Sequence, residues 1–148
     1  MITEIHIAGD HAGVELKSQI IEFIKSNLKL TCTDHGPLTT DSVDYPDYAD
    51  KIATVLKNKP NAVGVLICGS GQGMCMRANK FSHIRAAFVC NDEIARLSRE
   101  HNNANVICLG ARFCSKEEAT QWIQTFIKTP FSEGRHAQRV AKISRPAT

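Results

Sequence analysis

Ala62-Val63-Gly64-Val65-Leu66-Ile67-Cys68-Gly69-Ser70-Gly71-Gln72-Gly73 is the stretch on which the fold turns. Its first seven residues form a short apolar run rich in β-branched side chains, which reads as a buried strand. The run ends on a cysteine followed by three glycines at alternate positions. Glycine lets main-chain N–H groups approach a ligand closely. The segment from Met74 to Phe81 can start a helix, so these N–H groups would sit at a positive helix end. Such a loop is an anion cradle with a thiol at its lip, and the helix end would favour thiolate over thiol at Cys68. A tight strand-to-helix turn over a buried cysteine would use the same residues, so the rest of the chain has to separate the two readings.

Outward from this loop, strand-like and helix-like segments alternate in both directions. Ile5 to Ala8 reads as a strand that stops at Gly9-Asp10-His11. Leu16, Ile20, Phe23 and Ile24 give one apolar face to a helix from Val14 to Asn27. Leu28 to Thr33 reads as a second strand, and a polar loop then runs to Tyr45-Pro46. Tyr48, Ile52, Val55 and Leu56 mark the next helix. Beyond the glycine loop, Arg85 to Cys90 is a fourth strand, with Asn91-Asp92 offering an N-cap for a helix through Arg99. Val106 to Leu109 is a fifth, ending at Gly110-Ala111-Arg112. Ser115 and Glu118 match a capping box that opens a helix with the stripe Ala119, Trp122, Ile123, Phe126 and Ile127. After a break at Thr129-Pro130, a final helix is predicted from about Ser132.

Five strands alternating with helices predict an α/β fold: a doubly wound, five-stranded, mostly parallel sheet with helices on both faces, Rossmann-like, plus a C-terminal helical arm. The division is a single α/β domain over 1–130 and a basic arm over 131–148. Ligands of such sheets bind beyond the carboxyl ends of the strands. Asp10 and His11, Cys68 and Ser70, Asp92, and Arg112 all fall at strand ends of this kind, which raises the cradle above the simple turn.

Composition narrows the class. The 148 residues are 43% hydrophobic and 22% charged, as expected of a globular domain large enough to bury a core. No apolar run approaches the roughly 18 residues of a membrane span, and no basic region leading to a long apolar stretch precedes Ile5, which predicts a cytoplasmic protein. The six cysteines contain no Cys-x-x-Cys pair and no zinc spacing, so most are expected to be buried, reduced thiols, and no metal is predicted. The net charge of +3 is concentrated: the last 14 residues carry +4, from Arg135, Arg139, Lys142 and Arg145, and the preceding 134 sum to −1. A chain basic only at one end is a poor general nucleic-acid binder. Four such charges suit a local anion site or a solvated helix face.

Together these groups provide a thiolate base, a set of amide donors, acid/base candidates and arginines. Moving a proton between adjacent carbons of a sugar phosphate needs this combination. One base takes the proton and returns it next door, while fixed donors hold the oxygen that becomes negative. A cyclic sugar must first open, which calls for a pair such as Asp10 or His11 with His101. Arginines would grip the phosphate through bidentate hydrogen bonds.

Gly9-Asp10-His11-Ala12-Gly13, Val43-Asp44-Tyr45-Pro46-Asp47-Tyr48-Ala49, Cys68-Gly69-Ser70-Gly71-Gln72-Gly73, Ala78-Asn79-Lys80, Ala95 to Asn102, Gly110-Ala111-Arg112 and Gly134-Arg135-His136 with Arg139 resemble, in order and in register, the type B ribose-5-phosphate isomerases. The likeness runs from Ile5 to about Ile143. It implies an aldose–ketose isomerase of the pentose phosphate pathway, without metal or other cofactor, that interconverts ribose 5-phosphate and ribulose 5-phosphate through an enediolate. By the same resemblance Cys68 is the base, Ser70 assists the intermediate, and Gly69, Gly71 and Gly73 form the amide hole with Asn102. Asp10 and His101 open the ring, His11, Arg112, Arg135 and Arg139 contact the phosphate, and Tyr45 lies near the sugar. The family forms homodimers, often paired into tetramers, with sites built from two subunits, and the basic arm would then reach a neighbour's site.

Met74-Cys75-Met76-Arg77 departs from the small, apolar residues usual there, with Arg77 expected to point to solvent. Members that lack the cysteine carry a glutamate where this chain has Met74. Galactose-6-phosphate isomerase, built from two related subunits, is the nearest alternative, with allose 6-phosphate as a side substrate. A non-catalytic nucleotide-binding module is the alternative from another class, because Gly69-x-Gly71 with Asp92 superficially resembles a dinucleotide fingerprint. Its third glycine would fall at position 74, which is methionine, and the loop follows the third strand rather than the first. A dedicated thiol redox cycle is disfavoured by the lack of an adjacent resolving cysteine.

Overall fold

A computed structural model describes residues 1–146. Five strands build one sheet: β1 (Glu4–Gly9), β2 (Thr31–Asp34), β3 (Ala62–Cys68), β4 (Ala86–Phe88) and β5 (Val106–Gly110). Their order is β2-β1-β3-β5-β4, and every pairing is parallel. The strand connections carry α1 (Val14–Phe23), α2 (Tyr45–Leu56), α3 (Gln72–Ala78) and α4 (Asp92–Glu100), and α5 (Lys116–Lys128) and α6 (Arg135–Ile143) follow β5.

β3 sits at the centre, buried along all seven residues, because its two faces pack against different layers. Val63, Val65 and Ile67 join Ile5, Ile7, Ile107 and Leu109 beneath α1, α4 and α5. Leu66 and Cys68 join Ala8, Val106 and Cys108 beneath α2 and α3. The period of two along a strand thus sends Cys68 to the α2–α3 face. Trp122, Ile123 and Phe126 of the α5 stripe are buried, and Ile127 packs at its margin. The capping box at Ser115 and Glu118 is formed in both directions.

Several elements differ from the sequence reading. α1 stops at Phe23 and widens into a π-helical turn, Ile24–Leu28, closed by Lys29 in the left-handed region. That turn consumes Leu28, so β2 begins at Thr31 rather than Leu28. α3 ends at Ala78 instead of Phe81, β4 keeps only three residues, and α6 starts at Arg135 rather than Ser132. Cys90 is exposed, not buried, because it lies past the end of β4. Arg77 does not simply face solvent: its guanidinium grips Asp50 of α2 through two bonds of 2.6 and 2.9 Å.

One buried cation shapes the loop that leads to the site. Lys17 of α1 is 2% exposed, yet its Nζ donates to Asp34 Oδ1 at 2.6 Å and to the Pro37 carbonyl at 2.7 Å. A buried ammonium is tolerated only with such partners. The pair fixes the chain just after β2, on its way to Val43 and Tyr45.

Candidate active site

Parallel strands deliver their carboxyl ends to one edge, where β1, β3 and β5 stand side by side. At the end of β1, the Asp10 amide donates to the Ile67 carbonyl at 3.0 Å, which ties the first loop to the third. The buried Asp10 carboxylate accepts the Ala12 N–H at 2.9 Å and caps the one-turn helix His11–Gly13. His11 Nδ1 accepts the Val43 N–H at 3.3 Å. In the neutral ring the proton then resides on Nε2.

At the end of β3 the chain turns sharply. Gly71 adopts φ +78, and a methyl group there would come within 2.7 Å of the Leu109 carbonyl carbon and 2.9 Å of the Gly110 nitrogen. Only glycine fits both the torsion and the approach. The turn aims the Gly71 N–H at Cys68 Sγ, 3.2 Å away, a donor that suits a thiolate better than a thiol. Ser70 Oγ accepts the Gln72 N–H at 3.4 Å. Gly73 lies against Tyr45, whose Cζ would stand 2.5 Å from any added methyl group. The ring is 40% exposed, so the phenol borders the loop without being sealed under it.

At the end of β5, the Ala111 amide donates to the Cys68 carbonyl at 2.8 Å and the Arg112 amide to the Gly69 carbonyl at 3.1 Å. The Arg112 guanidinium lies over Gly69: its Nη1 would be 2.9 Å from a methyl group at that position. Asp10, His11, Tyr45, Cys68, Gly69, Ser70, Gly71, Gly73 and Arg112 therefore gather on one edge. A thiol, loop amides, a hydroxyl, a carboxylate, an imidazole and a guanidinium converge there. Asp92 does not join them, because its carboxylate accepts the Thr125 hydroxyl at 2.6 Å and fastens α4 to α5.

His101, Asn102, Arg135 and Arg139 lie elsewhere. α4 leaves the carboxyl edge of β4 and runs back along the sheet, so His101, at its end, sits at the opposite edge, just before β5 begins. The length of β5, on the order of 15 Å, separates the two edges. His101 stacks on His136 of α6, with ring centroids 4.3 Å apart and planes 8° from parallel. The Ser132 amide donates to the Glu100 carbonyl at 2.9 Å and anchors the segment before α6 to the end of α4. Partial burial, then the charges of His101, Arg135 and Arg139, lower the pKa of His136. Asn102, Arg135 and Arg139 are exposed beside this stack. Within one chain, Asp10 and His101 cannot act on one sugar.

The sequence marks no function at His136. Its place between Arg135 and Arg139 is the one signal there, and pairing with His101 depends on how the arm folds back. Among the described residues no cluster of three or more His, Cys, Asp or Glu suits a metal ion, and no helix is long and apolar enough to cross a membrane.

The geometry has close counterparts. A family model described as ribose/galactose isomerase matches residues 5–143. A probable ribose-5-phosphate isomerase B of Mycoplasma pneumoniae is 46% identical over 140 residues, covering 94% of this chain and 91% of the relative. The crystal structure of ribose-5-phosphate isomerase B from Mycoplasma genitalium with bound ribulose-5-phosphate superposes with a TM-score of 0.92 at 41% identity, covering 97% of this chain and 95% of that one. A ribose 5-phosphate isomerase from Thermotoga maritima gives a TM-score of 0.91 at 42% identity, covering 96% and 97%.

Proposed function

The chain belongs to the ribose/galactose isomerase family, and from that premise we propose that it is an enzyme interconverting ribose 5-phosphate and ribulose 5-phosphate with Cys68 as the base. The observation that carries the assignment of the base is the Gly71 N–H directed at Cys68 Sγ at 3.2 Å, inside a loop roofed by Arg112.

The steps follow from these groups. Ring opening moves a proton from the anomeric hydroxyl to the ring oxygen, with Asp10 and the histidine at position 101 as the acid/base pair. The Cys68 thiolate then takes the proton on C2, and the C–H electrons form the C1–C2 double bond while O1 becomes negative. Amides of the Gly69–Gly73 loop and Asn102 hold that oxyanion, with Ser70 beside it. The hydroxyl proton on O2 passes to O1, and Cys68 returns its proton to C1, leaving the ketone at C2. His11, Arg112, Arg135 and Arg139 bind the phosphate, and Tyr45 borders the sugar.

Because one chain keeps His101, Asn102, Arg135 and Arg139 a sheet length away from Cys68, the complete site takes them from a second copy. We therefore assign Arg112 and His11 to the subunit that holds Cys68, and the α6 arginines to its neighbour in a homodimer or dimer of dimers. The arm over 131–148 is the bridging element, of which residues 147 and 148 lie outside the described residues. The reaction is placed in the cytoplasm.

The test is isomerisation of ribose 5-phosphate by the wild type and by Cys68→Ala, both with EDTA present. Turnover by the wild type and a loss of about a thousandfold or more in a folded variant is the expected result. An active variant would dismiss Cys68 as the base, and an inactive wild type would dismiss the substrate and make galactose 6-phosphate the next assay.

A further inference from the structure

On the edge of the sheet opposite Cys68, a groove of about 480 Å³ opens between the α2–β3 turn and the turn that enters β5. Arg85 and Arg99 line it with Lys57, Lys59 and His83, and among the described residues no aspartate or glutamate does. Asp34 pairs with Lys17, Asp50 with Arg77, and Glu93 and Glu100 with Arg96, all away from the groove, while Glu4 pairs with His6 and with the groove lysine Lys59. Neither arginine has an acidic partner among the described residues.

Both are nevertheless held in place. Arg85 Nε donates to the Asn103 carbonyl at 2.8 Å, and its Nη1 to Ser144 Oγ at 3.4 Å. Arg99 Nη1 donates to Asn103 Oδ1 at 3.1 Å and to the Ala104 carbonyl at 2.6 Å. The Arg99 guanidinium also lies 5.5 Å from the Phe126 ring centroid, and its Nε is buried with no hydrogen-bond partner. Burial lowers the pKa of both groups, and the charge of Arg85 adds to the effect on Arg99. Two half-buried cations set on the same turn, without a counter-ion, raise the free energy of the folded chain, and an anion between them would lower it.

We propose that this groove is a second anion site, in which Arg85 and Arg99 bind a phosphate dianion or the phosphate group of a small phosphomonoester. Nη2 of Arg85 and of Arg99 takes no part in these hydrogen bonds, so each guanidinium can still donate to a phosphate oxygen, and Lys57 adds a charge at the rim. The groove is the size of a metabolite pocket rather than of a nucleic-acid track. The site is separate from the glycine loop and does not depend on the isomerase reading.

Inorganic phosphate titrated at constant ionic strength into the ¹⁵N-labelled full chain tests this, followed by glycerol 3-phosphate as an unreactive phosphomonoester. The expected result is saturable shifts at the amides of Lys57, His83 and Arg85, distinct from those of Gly69 to Gly73 and of His101 to Asn103. Arg85→Gln should weaken the groove response by about tenfold while the glycine-loop response remains. Lys57→Gln, at an exposed position that leaves folding intact, should weaken it about two- to threefold. Tighter binding of glycerol 3-phosphate identifies a phosphomonoester as the ligand, and equal binding identifies free phosphate. Groove amides that stay still while the glycine loop saturates, or that respond equally in Arg85→Gln, overturn the proposal.

Discussion

Gly71 links three demands at one residue: a positive φ, a backbone carbonyl within contact distance, and an N–H for the Cys68 sulfur. Gly71→Ala should therefore cost about 1–3 kcal/mol of stability and lower kcat as well, because the loop can relax only by withdrawing that N–H. Thermal melts and steady-state kinetics on the same sample check both. A second residue-scale prediction concerns His6, buried at 2% exposure, with Nδ1 2.9 Å from His35 Nε2 and Nε2 2.9 Å from Glu4 Oε1. Burial lowers the pKa of both imidazoles from 6.5, helped by Lys59 for His6 and by Lys51 and Lys59 for His35, against the raising effects of Glu4 and Asp34. The unfolded chain then binds more protons than the folded one just below pH 6.5, so stability falls as pH drops through that window. The melting temperature of the wild type should decline below that pH, and a His6→Gln/His35→Gln variant should show a flatter profile. These two histidines gave no signal in the sequence, because their partners come from three separate segments.

The elements themselves were legible where a local rule fixes them. Ser115 and Glu118 announced the start of α5, and the β-branched run announced β3, because both signals act within a few residues. The π turn after α1 was not legible: its register differs from an α-helix only in hydrogen bonding, and the apolar spacing looks the same. Nor was Lys17 readable as a buried residue, since its partners Asp34 and Pro37 become neighbours only once β2 is seated. Lys17→Met keeps the packing but strands Asp34 and frees the Pro37 carbonyl, with a loss of about 2–4 kcal/mol. As the freed loop carries Val43, the donor to His11 Nδ1, KM for the sugar phosphate should rise more than kcat falls. Denaturant melts and kinetics separate the two effects.

At the scale of the molecule, the two groups of proposed site residues occupy opposite edges of the sheet, and a two-fold partner can present one group to the other. Mixing two inactive variants is then informative. Cys68→Ala and His101→Asn, each near-inactive alone, should regain about a quarter of wild-type activity after co-refolding, since half the dimers are hybrids and each hybrid restores one site of two. No recovery, with hybrid dimers verified by mass spectrometry, would place the whole site within one chain and contradict the shared arrangement.

The sequence by itself determined the class of fold, the central strand and the glycine loop, because strand burial, turn torsion and helix capping are written in short-range patterns. It also carried the family resemblance through motifs in fixed order. Only the tertiary structure decided that Asp92 is a tie to α5, that Cys90 is exposed, that Arg112 sits over Gly69, and that His101 and His136 stack a strand's length from Cys68. Those outcomes depend on the direction in which each connection crosses the sheet, and on contacts between residues far apart in the chain, which no local pattern encodes.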